Sequence, residues 1–166
     1  MKVIEENKIK KYIHLSKYEI ESLNKIGQKK TYKPIGLYFA YKTEWLKHIV
    51  NRNKIIFDNN IIYLNDDLYL YKIKFKKEIK LLKIKTIQNV INITEKYMIN
   101  GIDNLSKHMI NWYEISMKYD GFIIKNYHEI KKSDVFLDTK YIWFKSFDVN
   151  GGYIWNPEYI KIKKII

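Results

Sequence analysis

Cysteine is absent from the 166 residues, which excludes a disulfide framework and any thiolate zinc site. The four histidines, His14, His48, His108 and His128, are spaced too far apart to ligate as a pair on one helical turn, so no metal site is expected. Proline occurs only at Pro34 and Pro157, and no stretch is rich in Gly and Ser. Nothing therefore reads as an interdomain linker, and residues 1–166 are expected to form a single domain. No run approaches the ~20 apolar residues of a membrane span, and MKVIEENKIKKY lacks the apolar centre of a signal peptide. A cytoplasmic, monomeric protein with no membrane contact is the expectation.

Arginine is the scarcest charged residue. Arg52 stands alone among 31 basic side chains, while the formal charge reaches +13. Clustered lysines neutralise phosphates and release counterions, so the charge suits a nucleic-acid or acidic protein partner. A dedicated base reader, however, rarely dispenses with the planar arginine fork. Lys, Asn, Ile and Tyr are also the residues of AT-rich codons, which is an equal alternative source of the same charge. What the chain does have is a core: hydrophobic residues make up 46% and aromatics 16%, enough to exclude disorder despite 30% charged residues.

Local patterns predict mixed elements. Lys11–Ser16 reads as a strand, and SKYEIESLNKIG as a helix opened by Ser16, closed by Gly27 and buried through Ile20, Leu23 and Ile26. Pro34 precedes a strand over Gly36–Ala40, and Thr43 caps a helix through Glu44, Trp45, His48 and Ile49. IIYLNDDLYLYKIKF predicts a hairpin about Asn65-Asp66-Asp67. EIKLLKIK is a strand, and Thr86 caps a helix striped by Ile87, Val90, Ile91, Thr94 and Met98. A second amphipathic helix is predicted over Asp103–Lys118, with Leu105, Met109, Trp112 and Ile115 or Ser116 inward. YDGFII and YIWFKSFDV read as strands, and GGYIW and EYIKIKKII as a final strand pair. Strands and helices without regular alternation predict an α+β fold.

Three segments line up, in order, with one fold. YIHLS resembles the strand of poly(ADP-ribose) polymerase-like and diphtheria-toxin-like ADP-ribosyltransferases that carries a histidine between an aromatic residue and Gly-Ser. GLYFAYKTEW resembles their Gly-Ile-Tyr-Phe-Ala segment and the helix after it, and GGYIWNPEYIKI resembles their Asn-Glu-Tyr-Ile-Val-Tyr segment. The resemblance implies split antiparallel β-sheets with flanking helices, and NAD as substrate. His14 would hold the adenosine-side ribose with support from Ser16, Gly36 would let the backbone approach, and Tyr38 would stack on the nicotinamide. The family's second stacking tyrosine has no counterpart here, so Trp45 or His48 would take its place.

Such a site has a general physical sense. A flat cationic ring is held by aromatic faces, and an oxocarbenium-like state is stabilised by a nearby carboxylate. The chain departs from the pattern at two points. Leu15 replaces the glycine after the histidine, and Gly152 occupies the position of the catalytic glutamate. The carboxylate would then come from Asp148, Glu158 or Asp120, with Asp148 preferred because FDVNGGYIW places it just upstream on the same segment. The resemblance thus implies a mono-ADP-ribosyltransferase with catalytic residues Tyr38 and Asp148 acting on a nucleic-acid or protein acceptor. The alternative is an inactive module of the same fold that binds nucleic acid or a protein partner.

Overall fold

The computed structural model describes residues 1–53, 55–99 and 109–166. Its strands are β1 (Lys2–Glu5), β2 (Tyr12–Ser16), β3 (Lys30–Thr31), β4 (Leu37–Tyr41), β5 (Ile56–Asp58), β6 (Ile61–Leu64), β7 (Tyr69–Phe75), β8 (Leu81–Ile84), β9 (Met98–Ile99), β10 (Met109–Asn111), β11 (Gly121–Ile124), β12 (Gly151–Ile154) and β13 (Ile160–Lys164). Its helices are α1 (Glu44–His48), α2 (Val50–Asn53), α3 (Ile87–Tyr97), α4 (Trp112–Ser116), α5 (Tyr127–Lys131) and α6 (Ile142–Lys145). Seven strands form the main sheet in the order β13-β7-β2-β4-β12-β11-β8, and two small sheets run β1-β6-β5 and β3-β10-β9. The fold is α+β, mostly sheet with short helices. Among the described residues only β8 and β11 pair in parallel, which requires a crossover, and α3 lies on the connection between them.

The pleat of the main sheet separates two faces. Cross-strand partners share a face, so the registers Ile13↔Ala40, Tyr38↔Tyr153 and Phe122↔Tyr153 set Ile13, Ala40, Tyr38, Tyr153 and Phe122 on one side. The registers Tyr12↔Tyr41, Tyr12↔Ile73 and Gly152↔Phe39 set Tyr12, Phe39, Ile73 and Gly152 on the other. The first face carries two cores. One packs α3–α6 around the buried Trp112, Trp143 and Trp155, and the other packs α1 and the β1-β6-β5 sheet around Leu46, Ile62 and Leu70. The opposite face closes over Phe39, Ile73, Ile123, Ile154 and Ile160. Burying one such side chain contributes about 1.5–3 kcal/mol.

Several predicted elements form as read. Thr86 caps α3 through a capping box with Asn89, and Val90, Ile93, Thr94 and Tyr97 are its buried face. The helix stops at Tyr97, so Met98 begins β9 instead of extending the stripe. Thr43 precedes α1 as expected, but its hydroxyl donates to Glu6 (2.8 Å) instead of capping. The lysine-bearing β13 is a sheet edge, with Lys161, Lys163 and Lys164 exposed.

Five expectations are corrected. The segment after β2 is no helix but an irregular strap. Ser16 Oγ closes a local turn by accepting from Tyr18 N (3.0 Å), and the backbone N–H groups of Ile20 and Ile26 donate to Tyr71 Oη (2.7 Å) and the Trp155 carbonyl (2.8 Å). Sheet groups thus satisfy donors that a helix would have used internally. The Asn65-Asp66-Asp67 turn forms, but it carries the chain from one sheet to another: β6 pairs with β1 and β5, and β7 with β2 and β13. Of the helix predicted over Asp103–Lys118, Leu105 lies outside the described residues, Met109–Asn111 is strand, and the Asn111 side chain caps a helix of only Trp112–Ser116. YIWFKSFDV folds into a 3-10 turn and α6, because Trp143, Phe144 and Phe147 bury together on a helical spacing. GGYIW and EYIKIKKII do form strands, but β12 lies between β4 and β11 while β13 pairs with β7.

Candidate functional site

The three segments that carry the resemblance become consecutive strands, β2, β4 and β12. β12 pairs with β4 along four residues, whereas β2 and β4 pair only at Tyr12↔Tyr41 and Ile13↔Ala40. Gly36 enters β4 where a Cβ would collide with the Ile154 carbonyl, whose carbon lies 2.9 Å from the built position. Only glycine permits that close approach of two backbones.

His14 spans the gap where β2 leaves β4. Its Nδ1 lies 2.6 Å from the Tyr38 carbonyl oxygen, and since a carbonyl only accepts, Nδ1 carries the proton. Burial pushes the imidazole pKa down, partly opposed by that same hydrogen bond. His14 is two residues from Tyr12 and Tyr38 is one residue from Phe39, so the alternation sets the two side chains on opposite faces. His14 lies opposite Tyr71, whose hydroxyl is held by the strap. Ser16 spends its hydroxyl on the turn at Tyr18, donating to that residue's carbonyl at 2.6 Å. His14 and Tyr38, which the resemblance sets about one ligand, therefore lie on opposite faces of the sheet, and they touch only where the His14 imidazole meets the Tyr38 backbone carbonyl.

Tyr38 instead lies in a seam between the two cores of its own face. Its ring centroid is 5.1 Å from that of Trp45, which packs on the α1 core, and 5.1 Å from that of Tyr153, which packs on the α3–α6 core. Trp45 stacks in turn on His48 at 5.4 Å with an interplanar angle of 22°. His48 Nε2 stands 3.8 Å from the Asp148 carboxylate. Both partners are about 40% exposed, with side-chain values of 41% and 38%, so water screens the pair when the imidazole is protonated. Tyr38, Trp45, His48 and Asp148 therefore form one cluster, in which His48 is exposed and the other three are partly buried; the surface over this cluster is the candidate cleft.

The electrostatics of the cleft are one-sided. Tyr38 has its phenol pKa raised far above the ordinary value, first by burial, then by Tyr153 and by the carboxylates Asp148 and Glu44. Burial and Asp148 also raise Tyr153, and they push Tyr127 up to about 12. All three hydroxyls stay protonated in neutral water; that of Tyr127 donates to the Lys145 carbonyl (3.3 Å), while Tyr38 and Tyr153 set O–H groups near the Asp148 carboxylate. The carboxylate of Glu44 accepts from Asn150 N (3.0 Å) and Asn150 Nδ2 (3.2 Å), which ties α1 to the turn before β12.

Tyr153 and Glu44 were not singled out by sequence. The signal for Tyr153 was its place in GGYIW, one residue past the glutamate position, but it becomes a cleft residue only because β12 pairs with β4 in the Tyr153↔Tyr38 register. Of the other carboxylates, Asp120 accepts from Lys80 N (2.9 Å) and Asn156 Nδ2 (2.7 Å) at the far end of β11, and Glu158 sits in the turn before β13. Neither belongs to the cleft. Gly152 is sealed: a Cβ there would collide with the Phe122 carbonyl oxygen and come within 2.9 Å of the Phe39 ring. Among the described residues no helix is long and apolar enough to cross a membrane. Comparison of the chain with described families, with curated proteins and with solved structures finds no match.

Proposed function

We propose that the protein is a binding module of ADP-ribosyltransferase-like fold whose cleft takes a flat cationic ring, the nicotinamide of NAD being the ligand that fits its chemistry. The observation that carries this reading is the convergence of the partly buried rings of Tyr38, Trp45 and Tyr153 with the Asp148 carboxylate in one seam. Aromatic faces attract a cationic ring through their quadrupole, and a carboxylate at their edge adds to the attraction. The consecutive placement of β2, β4 and β12 supports the fold assignment. Sealed Gly152, and His14 on the opposite face, favour binding over turnover.

A second reading, NAD-dependent transfer, is favoured by one feature: Asp148 lies beside Tyr38 where it would stabilise positive charge on the ribose. In that reading Asp148→Asn lowers nicotinamide release by orders of magnitude with little change in NAD affinity.

Titration by tryptophan fluorescence tests the binding reading. Oxidised NAD should bind more tightly than its reduced form, whose dihydronicotinamide carries no charge. Tyr38→Ala should weaken binding of the oxidised form about tenfold, since stacking and cation–π terms together amount to roughly 1–2 kcal/mol. Equal affinity for both redox forms, or an unchanged affinity of Tyr38→Ala, would end the proposal. Nicotinamide release on prolonged incubation would move the assignment to the transferase.

A further inference from the structure

One end of the main sheet carries a line of lysines. Lys11 and Lys42 meet where Lys42 N donates to the Lys11 carbonyl beyond the last β2–β4 pair. Two strands on, Lys125 follows Ile124 of β11, and its N–H donates to the Ile84 carbonyl of β8 (2.8 Å), placing Lys85 alongside. Between them Asn150 leads into β12, and its carbonyl accepts from Tyr41 N (2.9 Å). The line from β2 to β8 crosses four strand intervals, about 19 Å at the usual ~4.8 Å spacing. All four lysines are exposed, and among the described residues none forms an ion pair with a carboxylate.

The same end is grooved. A cavity of about 730 Å³ lies beside Lys10 and Lys42, one of about 270 Å³ is lined by Tyr12, Tyr41, Lys125, Asn126 and Asn150, and one of about 640 Å³ lies beside Lys85 and Lys132. The first and second meet at the Tyr41–Lys42 peptide, and the second and third share Asn126. The acidic side chains in the groove are engaged: Glu6 with Lys47 and Thr43, each at 2.8 Å, and Glu129 with Lys132 at 2.8 Å. The three cavities thus adjoin along a line on which Lys11, Lys42, Lys85 and Lys125 keep their charge free of carboxylates among the described residues, with two phenol rings, Tyr12 and Tyr41, centred 5.8 Å apart at its middle.

We infer that this groove binds single-stranded nucleic acid, with phosphates on Lys10, Lys11, Lys42, Lys85 and Lys125 and a base held at the Tyr12–Tyr41 pocket. A linear cationic track with aromatic rings is what an unpaired strand requires, since its backbone follows the charge and its bases are open to stack. The middle cavity admits one ring system, and a duplex keeps its bases stacked and unavailable to it. The site is separate from the Tyr38 cleft, because Tyr12 and Tyr41 lie on the opposite face of the sheet from Tyr38.

The test is fluorescence anisotropy of the full chain with a labelled oligothymidylate over a series of salt concentrations. Neutralising four to five phosphates gives a slope of about −2.8 to −3.5 in log affinity against log salt, or roughly 50- to 130-fold weaker binding between 50 and 200 mM. The double variant K42Q/K125Q should flatten the slope by about 1.4. The charge-matched control K161Q/K163Q, at the exposed β13 edge, should leave it unchanged. Circular dichroism of both variants secures that each is folded. Equal loss in the two double variants would show that the charge acts diffusely and would overturn the site. Tighter binding of polyglutamate, of anionic phospholipid vesicles or of duplex DNA than of the single strand would overturn the choice of ligand.

Discussion

Gly152→Ala is the substitution that most directly probes how the sheet is built. The added methyl would meet the Phe122 carbonyl oxygen of β11, stand 2.9 Å from its carbon, and stand 2.9 Å from the Phe39 ring. Two of those atoms are backbone of a neighbouring strand, so no rotamer change relieves the overlap. β11 or β12 has to move within a seven-stranded ladder that is hydrogen-bonded on both sides of β12. Overpacking of a tight core costs about 1–3 kcal/mol, and two strained ladder hydrogen bonds add about 1 kcal/mol each. The expected loss is therefore about 3–5 kcal/mol. Against a typical total of about 5–15 kcal/mol that is severe, and it corresponds to a fall in Tm of roughly 6–20 °C for a chain of this size. Urea denaturation followed by far-ultraviolet circular dichroism measures it. Gly27→Ala is the control, because nothing lies within 4 Å of the Cβ built there, and it should be neutral or stabilise by up to about 1 kcal/mol. Gly152→Glu, which adds a longer side chain at the same sealed position, should not yield a stable fold. An unfolding free energy of Gly152→Ala within about 1 kcal/mol of the wild type would show that the strand is not sealed at this position.

Two smaller perturbations test the capping and the buried histidine. Thr86→Ala removes the acceptor for Asn89 N and breaks the capping box of α3, so stability should fall by about 1 kcal/mol in the same urea assay while the cleft keeps its ligand affinity. His14 has its pKa lowered by burial, so the folded state binds its proton less readily than the unfolded chain. Its contribution to stability is present above the unfolded value of 6.5 and is lost as pH falls from there toward the folded value. Denaturation midpoints measured from neutral pH downward should decline more steeply for the wild type than for His14→Gln, and parallel curves would contradict the buried, neutral imidazole.

Much of the local structure was legible because it depends on neighbours in sequence. Thr86 with Asn89 three residues on announces a helix start whatever surrounds it, and the apolar runs of β2, β4, β8 and β11 prefer extended backbone wherever they pair. The strap after β2 departs from the helical spacing of Ile20, Leu23 and Ile26 because only Leu23 packs on a core, Ile26 is exposed, and the backbone N–H groups of Ile20 and Ile26 are taken by distant partners. The deciding groups, Tyr71 Oη and the Trp155 carbonyl, lie far away in sequence. Asn65-Asp66-Asp67 is a turn by its residue types and forms one, yet a turn says nothing about whether the strands it joins will pair.

The candidate cleft divides along the same line. That Tyr38, Trp45, His48 and Asp148 are aromatic or ionisable residues in short distinctive segments is a property of the sequence alone. That they meet, that Tyr153 joins them and that His14 does not are consequences of register. In a sheet the side-chain period is two, so a single residue decides which face a group occupies. The pairing of β4 with β12 set Tyr38 beside Tyr153, and the pairing of β2 with β4 turned His14 to the other side. Residue types and local backbone preferences were thus determined along the chain. The meeting of faces came only from long-range pairing, where hydrophobic burial on both sides of the sheet selects one register over its neighbours.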